Sequence, residues 1–290
     1  MVFLRPRIAA LFAFATLLLT SLASPSPASS PALAGPLTPD CAKGSRHIGT
    51  PTGRNVSFAG VPTYLSEPPF QPSKSKPESR ATKVILFFSD AFGPFYINNQ
   101  LVQDYYAAQG YHVLGPDYFF GDAITQHVYE NFQSFDPNFV LATWVAKSRA
   151  QAEAALPAWI EAIRQRYGAA AKINAVGYCF GAPYVFEAAA NEQVLAGAFA
   201  HPSDVTVDHF TQIKKPLLLS TAELDTSFTK PKLIRATDIL AANKAMYHVQ
   251  TFSGVSHGFA TRGNMSIENE AWARTQSAKS VIEWFDRFSG

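Results

Sequence analysis

Cysteine and net charge are both scarce in this sequence of 290 residues. The only cysteines are Cys41 and Cys179, which excludes a small scaffold held together by many disulfides. The formal net charge is +2, so the chain has no general electrostatic attraction to nucleic acid or to anionic lipid. Hydrophobic residues make up 47% and charged residues 16%, which excludes a disordered chain and directs the search for function to a pocket.

Motifs for metals and for nucleotide cofactors are also missing. The histidines do not follow HxxxH or HExxH spacing, and two cysteines far apart in the chain do not predict a zinc site. No GxGxxG pattern or phosphate-binding loop indicates a nucleotide. We therefore expect chemistry that needs neither a metal nor a cofactor.

The first 23 residues predict a secretory signal peptide. Arg5 and Arg7 precede an apolar stretch of about 15 residues, which is short of the roughly 20 that span a bilayer. Small residues suit cleavage after Ala23 or after Ala34, and the two sites stay open. We expect a secreted protein without a stable membrane anchor once the signal is removed.

Residues 24–40 are rich in Pro, Ser and Ala and predict a flexible leader without a packed core, followed by one domain at residues 41–290. Two N-glycosylation sequons, at Asn55 and Asn264, agree with export. The pattern is short and arises often by chance, so its use depends on exposure and on the host.

The rest of the chain alternates short apolar runs with longer amphipathic segments. The runs suit strands buried on both faces, at residues 84–88, 111–114, 173–176, 196–200, 217–219 and 247–252. The amphipathic segments suit helices, at residues 98–109, 149–167, 182–190, 232–243 and 268–288. This order predicts an α/β fold, a mostly parallel central sheet with helices on both faces.

The sharpest local pattern is the pentapeptide Gly-Tyr-Cys-Phe-Gly at residues 177–181. It follows a predicted strand and opens a predicted helix, so the chain must turn sharply with Cys179 at the apex. Gly177 and Gly181 suit the close backbone approaches of such a turn. A helix N-terminus favours a thiolate, so we expect Cys179 to be a nucleophile whose pKa is lowered; the alternative is a buried structural cysteine.

A nucleophile of this kind needs a base and an acid, which follow it in the order acid, then histidine. Asp225 and Glu223 both come just after the strand at 217–219, and Asp225 is preferred. His257 lies on a glycine-rich loop after the last strand and is preferred as the base over His201. Glu223 has two alternative roles, ordering its loop or contacting Cys179.

Together these residues resemble the dienelactone hydrolases of the α/β-hydrolase superfamily. The resemblance covers about residues 40–290 and rests on residues 177–181, 222–225 and 257–263, and residues 41–53 resemble the opening segment of the fungal branch. It implies an α/β-hydrolase fold. It also implies a Cys-His-Asp triad that hydrolyses small-molecule lactones or esters.

The resemblance assigns further roles. An acid in the loop at residues 89–93 contacts the resting nucleophile in this family, a role that falls to Asp90. An arginine that holds a substrate carboxylate would be Arg262; the alternative for Arg262 is an ordinary surface arginine. The backbone N–H groups of Phe180 and Ala91 would form the oxyanion hole. Tyr118, at the end of a predicted strand, is the best candidate to line the pocket, and core packing is its alternative.

Two other interpretations are open at this point. The protein is a secreted binding protein that keeps the fold without catalysis, or Cys41 and Cys179 form a structural disulfide in the oxidising exterior. Alkylation of Cys179 well below the usual thiol pKa distinguishes catalysis from binding. The role of Cys41 and the substrate do not follow from the sequence.

Overall fold

Residues 1, 30–69, 81–129 and 134–290 are described by the structure, a computed structural model. Apart from Met1, the predicted signal peptide lies outside the described residues, as do residues 24–29 of the predicted leader. Within the part of the chain that is described, no helix has both the length and the apolar character needed to cross a membrane.

One eight-stranded sheet forms the centre of the molecule. In chain order its strands are β1 (Arg54–Phe58), β2 (Val61–Ser66), β3 (Lys83–Phe88), β4 (His112–Pro116), β5 (Lys172–Tyr178), β6 (Gly197–Ala200), β7 (Leu217–Ala222) and β8 (Tyr247–Phe252). Their spatial order is β1-β2-β4-β3-β5-β6-β7-β8. The β1–β2 and β2–β4 pairs are antiparallel, and every pair from β4 to β8 is parallel.

Helices cover both faces of this sheet. They are α1 (Ile97–Ala108), α2 (Leu141–Tyr167), α3 (Ala182–Ala190), α4 (Val207–Gln212), α5 (Lys230–Ala242), α6 (Phe259–Arg262) and α7 (Glu268–Ser289). Alternate side chains of β3 enter different cores: Val84, Leu86 and Phe88 pack in one with α2, α3 and α5, and Ile85 and Phe87 pack in the other with α1 and α7. The predicted α/β-hydrolase fold is confirmed.

Two elements differ from the sequence prediction. The β1–β2 hairpin was not predicted, because β1 lies at the sheet edge, mostly exposed, and has no continuous apolar run. Helix α2 begins at Leu141 rather than at Arg149, and its added first turns bury Trp144 against the core. Strand β2 was missed although five of its six residues are buried, because Pro62, Thr63 and Ser66 interrupt its apolar run.

The prediction of a flexible leader at residues 24–40 is wrong from residue 30 onward. From residue 30 onward the chain packs on the domain, and Leu33, Ala34 and Leu37 are buried in the core. The backbone N–H groups of Leu33 and Ala34 both donate to the carbonyl of Val205, at 2.7 and 2.8 Å. A Pro-rich composition predicts that regular helix and strand are absent here, but it does not prevent the few apolar side chains from packing in the core.

The sheet gathers the predicted catalytic residues at one edge. Asp90, Cys179, Asp225 and His257 each follow the carboxyl end of a strand, β3, β5, β7 and β8 respectively. Because β3, β5, β6, β7 and β8 run parallel, these ends all meet at the same edge. We call it the carboxyl edge.

Candidate active site

Cys179 occupies a strained turn between β5 and α3. Its φ angle is +47°, in the left-handed region that a side chain with a Cβ seldom adopts. A Cβ added to Gly181 would lie 2.1 Å from the carbonyl oxygen of Phe88, and one added to Gly177 would lie 2.6 Å from that of Gly181. Both glycines are therefore required by close backbone contacts, as the sequence pattern predicts.

His257 and Asp225 form the expected base–acid pair. The imidazole Nδ1 lies 3.0 Å from Asp225 Oδ2, and the other carboxylate oxygen accepts the backbone N–H groups of Ser227 and Phe228 at 2.8 and 3.2 Å. Both side chains are almost fully buried. The carboxylate is held from two sides, so it fixes the ring with Nε2 facing away from the acid.

Glu223, the alternative acid, lies elsewhere. Its carboxylate accepts the Ser253 hydroxyl and the Gly254 N–H, both at 2.8 Å. These bonds hold the loop between β8 and His257, so Glu223 orders that loop, one of the two alternatives left to it by the sequence.

His201, the alternative base, is fully buried beside His257, with ring centroids 5.1 Å apart in an edge-to-face arrangement. Burial holds the pKa of His201 well below its ordinary value, and the nearby charged His257 and Arg262 lower it further. A neutral ring without a carboxylate partner is suited to packing against the base, not to replacing it.

Cys41 had no catalytic role predicted from the sequence, and in the structure it lies beside His257. His257 Nε2 is 3.5 Å from Cys41 Sγ. The Ser203 hydroxyl bridges the two sulfurs, 3.8 Å from Cys41 Sγ and 3.2 Å from Cys179 Sγ. The two sulfurs and the imidazole nitrogen all lie within 4.8 Å of one another. Two cysteines distant in sequence are thus adjacent in space, and the argument from chain distance against a shared site is wrong.

The alternative of a Cys41–Cys179 disulfide is also wrong for this structure, because both thiols are free and buried. That alternative nevertheless paired the right residues. With two cysteines in the whole chain, their scarcity was the one signal that linked them. No helix or strand pattern surrounds Cys41 to show where it folds.

The charges at this site differ from the expected ones. The hydrogen bond between Cys41 and Cys179 and the charge of His257 hold the pKa of Cys41 well below its ordinary value. Burial holds the pKa of Cys179 well above its own. Burial alone would lower the pKa of His257, but Cys41 and Asp225 raise it to about 10. These directions favour a Cys41 thiolate paired with a His257 imidazolium. The expected lowering of the Cys179 pKa is not found, because Cys179 is fully buried and Cys41 takes the position facing Nε2.

Asp90 does not contact Cys179. Its Oδ1 accepts the Asn99 side-chain amide at 2.8 Å and the Phe92 N–H at 3.1 Å, and its Oδ2 accepts the Thr261 hydroxyl at 2.8 Å and the Arg262 guanidinium. The family role expected for Asp90 is therefore not the one it has here. A fully buried carboxylate needs such partners, since leaving it unpaired costs several kcal/mol, about 3–5.

Arg262 is likewise committed inside the protein. Its side chain is 1% exposed, its Nη1 pairs with Asp90, and its Nε donates to the carbonyl of Lys43 at 2.9 Å. The expected role of holding a substrate carboxylate is wrong for this state. Arg262 instead ties α6 to the stretch at residues 38–47, which we call the Cys41 segment.

The Cys41 segment covers the site closely. Gly44 adopts φ +145°, and a Cβ added there would lie 2.4 Å from Arg262 Cβ. Ser45 N–H donates to the carbonyl of Arg262 at 2.9 Å. Cys41 and Cys179 are both buried, so neither sulfur is open to solvent in this structure.

Tyr118 packs in the aromatic core. It is fully buried, its hydroxyl donates to the carbonyl of Ser89, and its ring lies 5.4 Å from that of Phe180 and 4.8 Å from that of Phe119. Of the two expectations for Tyr118, core packing is the correct one. Its ring packs against Phe180, the residue that follows Cys179 in the turn.

The two sequons differ in exposure. Asn55 is exposed on the edge strand β1, whereas Asn264 is half-buried and its side-chain oxygen accepts the N–H of Ser266 at 2.9 Å. Glycosylation stays a prediction at both positions, and the exposure of Asn55 favours it there.

Comparison with known proteins places the chain in a family. Residues 71–289 match the model of the dienelactone hydrolase family. The chain is 39% identical over 259 residues to dienlactone hydrolase 1 of Gibberella moniliformis, which covers 88% of this chain and 95% of that one. It is 34% identical over 256 residues to dienlactone hydrolase 2 of the same fungus, covering 88% and 96%.

Solved structures agree at the level of the fold. A dienelactone hydrolase-like promiscuous phosphotriesterase from metagenomic libraries superposes with a TM-score of 0.59 at 19% identity, covering 83% of this chain and 99% of that one. From the family match and the two fungal relatives, the chain belongs to the dienelactone hydrolase family, a family of lactone and ester hydrolases.

Proposed function

We propose that this protein opens lactones or cleaves carboxylic esters, with Cys179 as the nucleophile, His257 as the base and Asp225 as its orienting acid. One observation carries the proposal: at the carboxyl edge, Asp225 fixes His257 so that Nε2 faces a sulfur cluster that includes the strained apex Cys179. A fixed imidazole beside a nucleophile is the arrangement that covalent catalysis requires.

Cys179 is preferred to Cys41 as the nucleophile for two reasons. It stands at the start of α3, where the N–H of Phe180 and that of Ala91 after β3 would bind the oxyanion; each such donor typically lowers the barrier by about 3–4 kcal/mol. The family match at residues 71–289 also includes Cys179, Asp225 and His257 and leaves out Cys41.

The proposed reaction begins from the resting ion pair. Cys179 transfers its proton to the Cys41 thiolate and attacks the ester carbonyl, and the tetrahedral oxyanion is bound by the two backbone N–H groups. Collapse breaks the C–O bond while His257 imidazolium protonates the leaving alkoxide. Neutral His257 then takes a proton from water, which attacks the thioester and releases the carboxylic acid and Cys179 as a thiolate. The proton on Cys41 returns to Cys179, which restores the resting ion pair.

This chemistry favours particular substrates. A thiolate leaves a tetrahedral intermediate more readily than an amine does, so lactones and activated esters are better substrates than peptides. The buried site also selects by size, because a ligand must displace the Cys41 segment before it contacts Cys179. We further propose that the protein acts outside the cell, on the basis of its predicted signal peptide and the exposed sequon at Asn55.

The test is a panel of lactones and aryl esters with the reduced protein, followed by rapid quenching and peptide mass mapping. We expect hydrolysis of at least one compound and a transient acyl group on the peptide that contains Cys179. Asp225→Asn slows both steps and serves as a variant that keeps both thiols. An acyl group on Cys41 alone, or turnover that persists in Cys179→Ala, would overturn the assignment.

A further inference from the structure

Four potential ligand atoms converge at the buried end of the Cys41 segment. They are the sulfurs of Cys41 and Cys179, Nε2 of His257 and the hydroxyl of Ser203. The first three lie within 4.8 Å of one another, and all four side chains are buried or nearly so. The two sulfurs and the imidazole nitrogen are donors that a thiophilic cation of the zinc class prefers.

The spacing of these atoms fits one tetrahedral ion. With Zn–S of about 2.3 Å and Zn–N of about 2.0 Å at tetrahedral angles, a sulfur lies about 3.5 Å from an imidazole nitrogen. The observed distance from Cys41 Sγ to His257 Nε2 is 3.5 Å. The contacts of Ser203 Oγ with the two sulfurs, 3.8 and 3.2 Å, are of similar size. The distances among the three ligand atoms are at most 4.8 Å, so the ligands must draw together by up to about 1 Å to surround an ion.

The surroundings of His257 fit as well. Metal-bound histidines usually donate their other ring N–H to a carboxylate, which fixes the tautomer. Asp225 stands in that position, 3.0 Å from Nδ1, so the free nitrogen is the one that faces the sulfurs. Two thiolates would neutralise the charge of a divalent ion, which a dry site requires.

We propose that Cys41, Cys179 and His257 form a binding site for one thiophilic divalent cation, with Ser203 or a water as the fourth ligand. Binding is a property of these side chains alone. Its consequence rests on the proposed function: an ion held here takes the nucleophile and the base together, so occupancy reversibly switches off ester hydrolysis.

Proton release gives an independent measure of binding. Whether the free protein holds two thiols with a neutral ring or a thiolate with an imidazolium, the three ligands lose about two protons when they bind the ion. Calorimetry with Zn²⁺ in buffers of different ionisation enthalpy therefore reports about two protons per site, whereas a surface histidine–carboxylate pair releases fewer.

The direct test is anaerobic titration of the reduced protein with Co²⁺, followed by displacement with Zn²⁺. We expect thiolate-to-cobalt absorption that saturates at one equivalent. Loss of a residue that only hydrogen-bonds to a metal ligand typically weakens metal binding by about 10–100-fold. Loss of a ligand itself has a larger effect, so Cys41→Ser and His257→Gln should each weaken binding by more than about 100-fold. The matched control is His127→Gln: His127 pairs with Asp122 at the surface, 2.6 Å apart, and its loss should leave the titration unchanged.

A second measurement needs no variant. One equivalent of Zn²⁺ should protect both cysteines from iodoacetamide, and a chelator should restore their reaction. Absent thiolate-to-cobalt absorption in the parent protein, or an unchanged spectrum in a folded Cys41→Ser, would overturn the site. Normal metal binding by a protein that hydrolyses nothing would leave the site standing and overturn only its effect on catalysis.

Discussion

Two segments bring a cysteine to the same place by different means. The turn at residues 177–181 belongs to the sheet: a strand, two close backbone contacts and a helix determine where Cys179 lies. The Cys41 segment has only a four-residue 3-10 helix and depends on contacts made by Arg262. The difference teaches that regular structure places Cys179, the proposed nucleophile, while an irregular segment shifts its pKa and covers it.

The sharpest way to break this comparison is to remove each sulfur in turn. We expect Cys179→Ala to lower kcat/KM for a hydrolysed ester by about 10⁴-fold or more, because the reacting atom is lost. Cys41→Ala should cost about 10²-fold, because His257 can still take the proton. Steady-state kinetics with thermal unfolding as a check on the fold measure both. Equal losses, or a larger loss in Cys41→Ala, would reverse the two roles.

The two acids after β7 allow a matched pair of changes. Asp225→Asn should lower kcat by about 10³- to 10⁴-fold, since an amide favours the wrong tautomer of His257. Glu223→Gln should change kcat only a few-fold, because its bonds to Ser253 and Gly254 lie away from the ring. Comparable losses in both variants would mean that loop order, not the carboxylate at His257, limits the reaction.

The attachment of the Cys41 segment to α6 is tested by Arg262→Met. Asp90 would be left buried without its cation, so we expect the free energy of unfolding to fall by about 3–5 kcal/mol. Lys215→Met, which breaks a surface pair with Glu192, should cost about 0–1 kcal/mol. Urea unfolding followed by circular dichroism measures both. A loss below about 1 kcal/mol in Arg262→Met would show that the Cys41 segment does not need this anchor.

The smallest effect is the order in which the thiols react. Because the pKa of Cys41 is lowered and that of Cys179 is raised, iodoacetamide near neutral pH should alkylate Cys41 more than about 10-fold faster. As the pH rises, Cys179 should become reactive and the preference should shrink. Peptide mass mapping across pH gives the two rates. Faster labelling of Cys179 at neutral pH would place the resting thiolate on the other sulfur.

Much of the fold and half of the site follow from the sequence. The central strands have continuous apolar runs, and parallel strands end at one edge, so Cys179, Asp225 and His257 are placed together by local pattern alone. The β1–β2 hairpin could not be predicted in this way, because the exposed edge strand β1 has little apolar pattern.

Cys41 and the internal pairing of Arg262 depend instead on how an irregular segment packs in three dimensions. A sequence does not show which of several carboxylates a buried guanidinium will select, nor which face of the fold a loop will cover. The pKa shifts at the site follow from that packing, which is why a lowered pKa was expected for Cys179 and is found for Cys41.

The packing of residues 30–37 bears on proteolytic maturation, if the predicted signal is removed. A cut after Ala23 would leave Leu33 and Ala34 in the core, together with their bonds to Val205. A cut after Ala34 would take both away, and the loss of one buried leucine side chain alone removes about 1.5–3 kcal/mol of favourable burial. Of the two predicted cleavage points, we therefore expect the earlier one to leave the more stable domain.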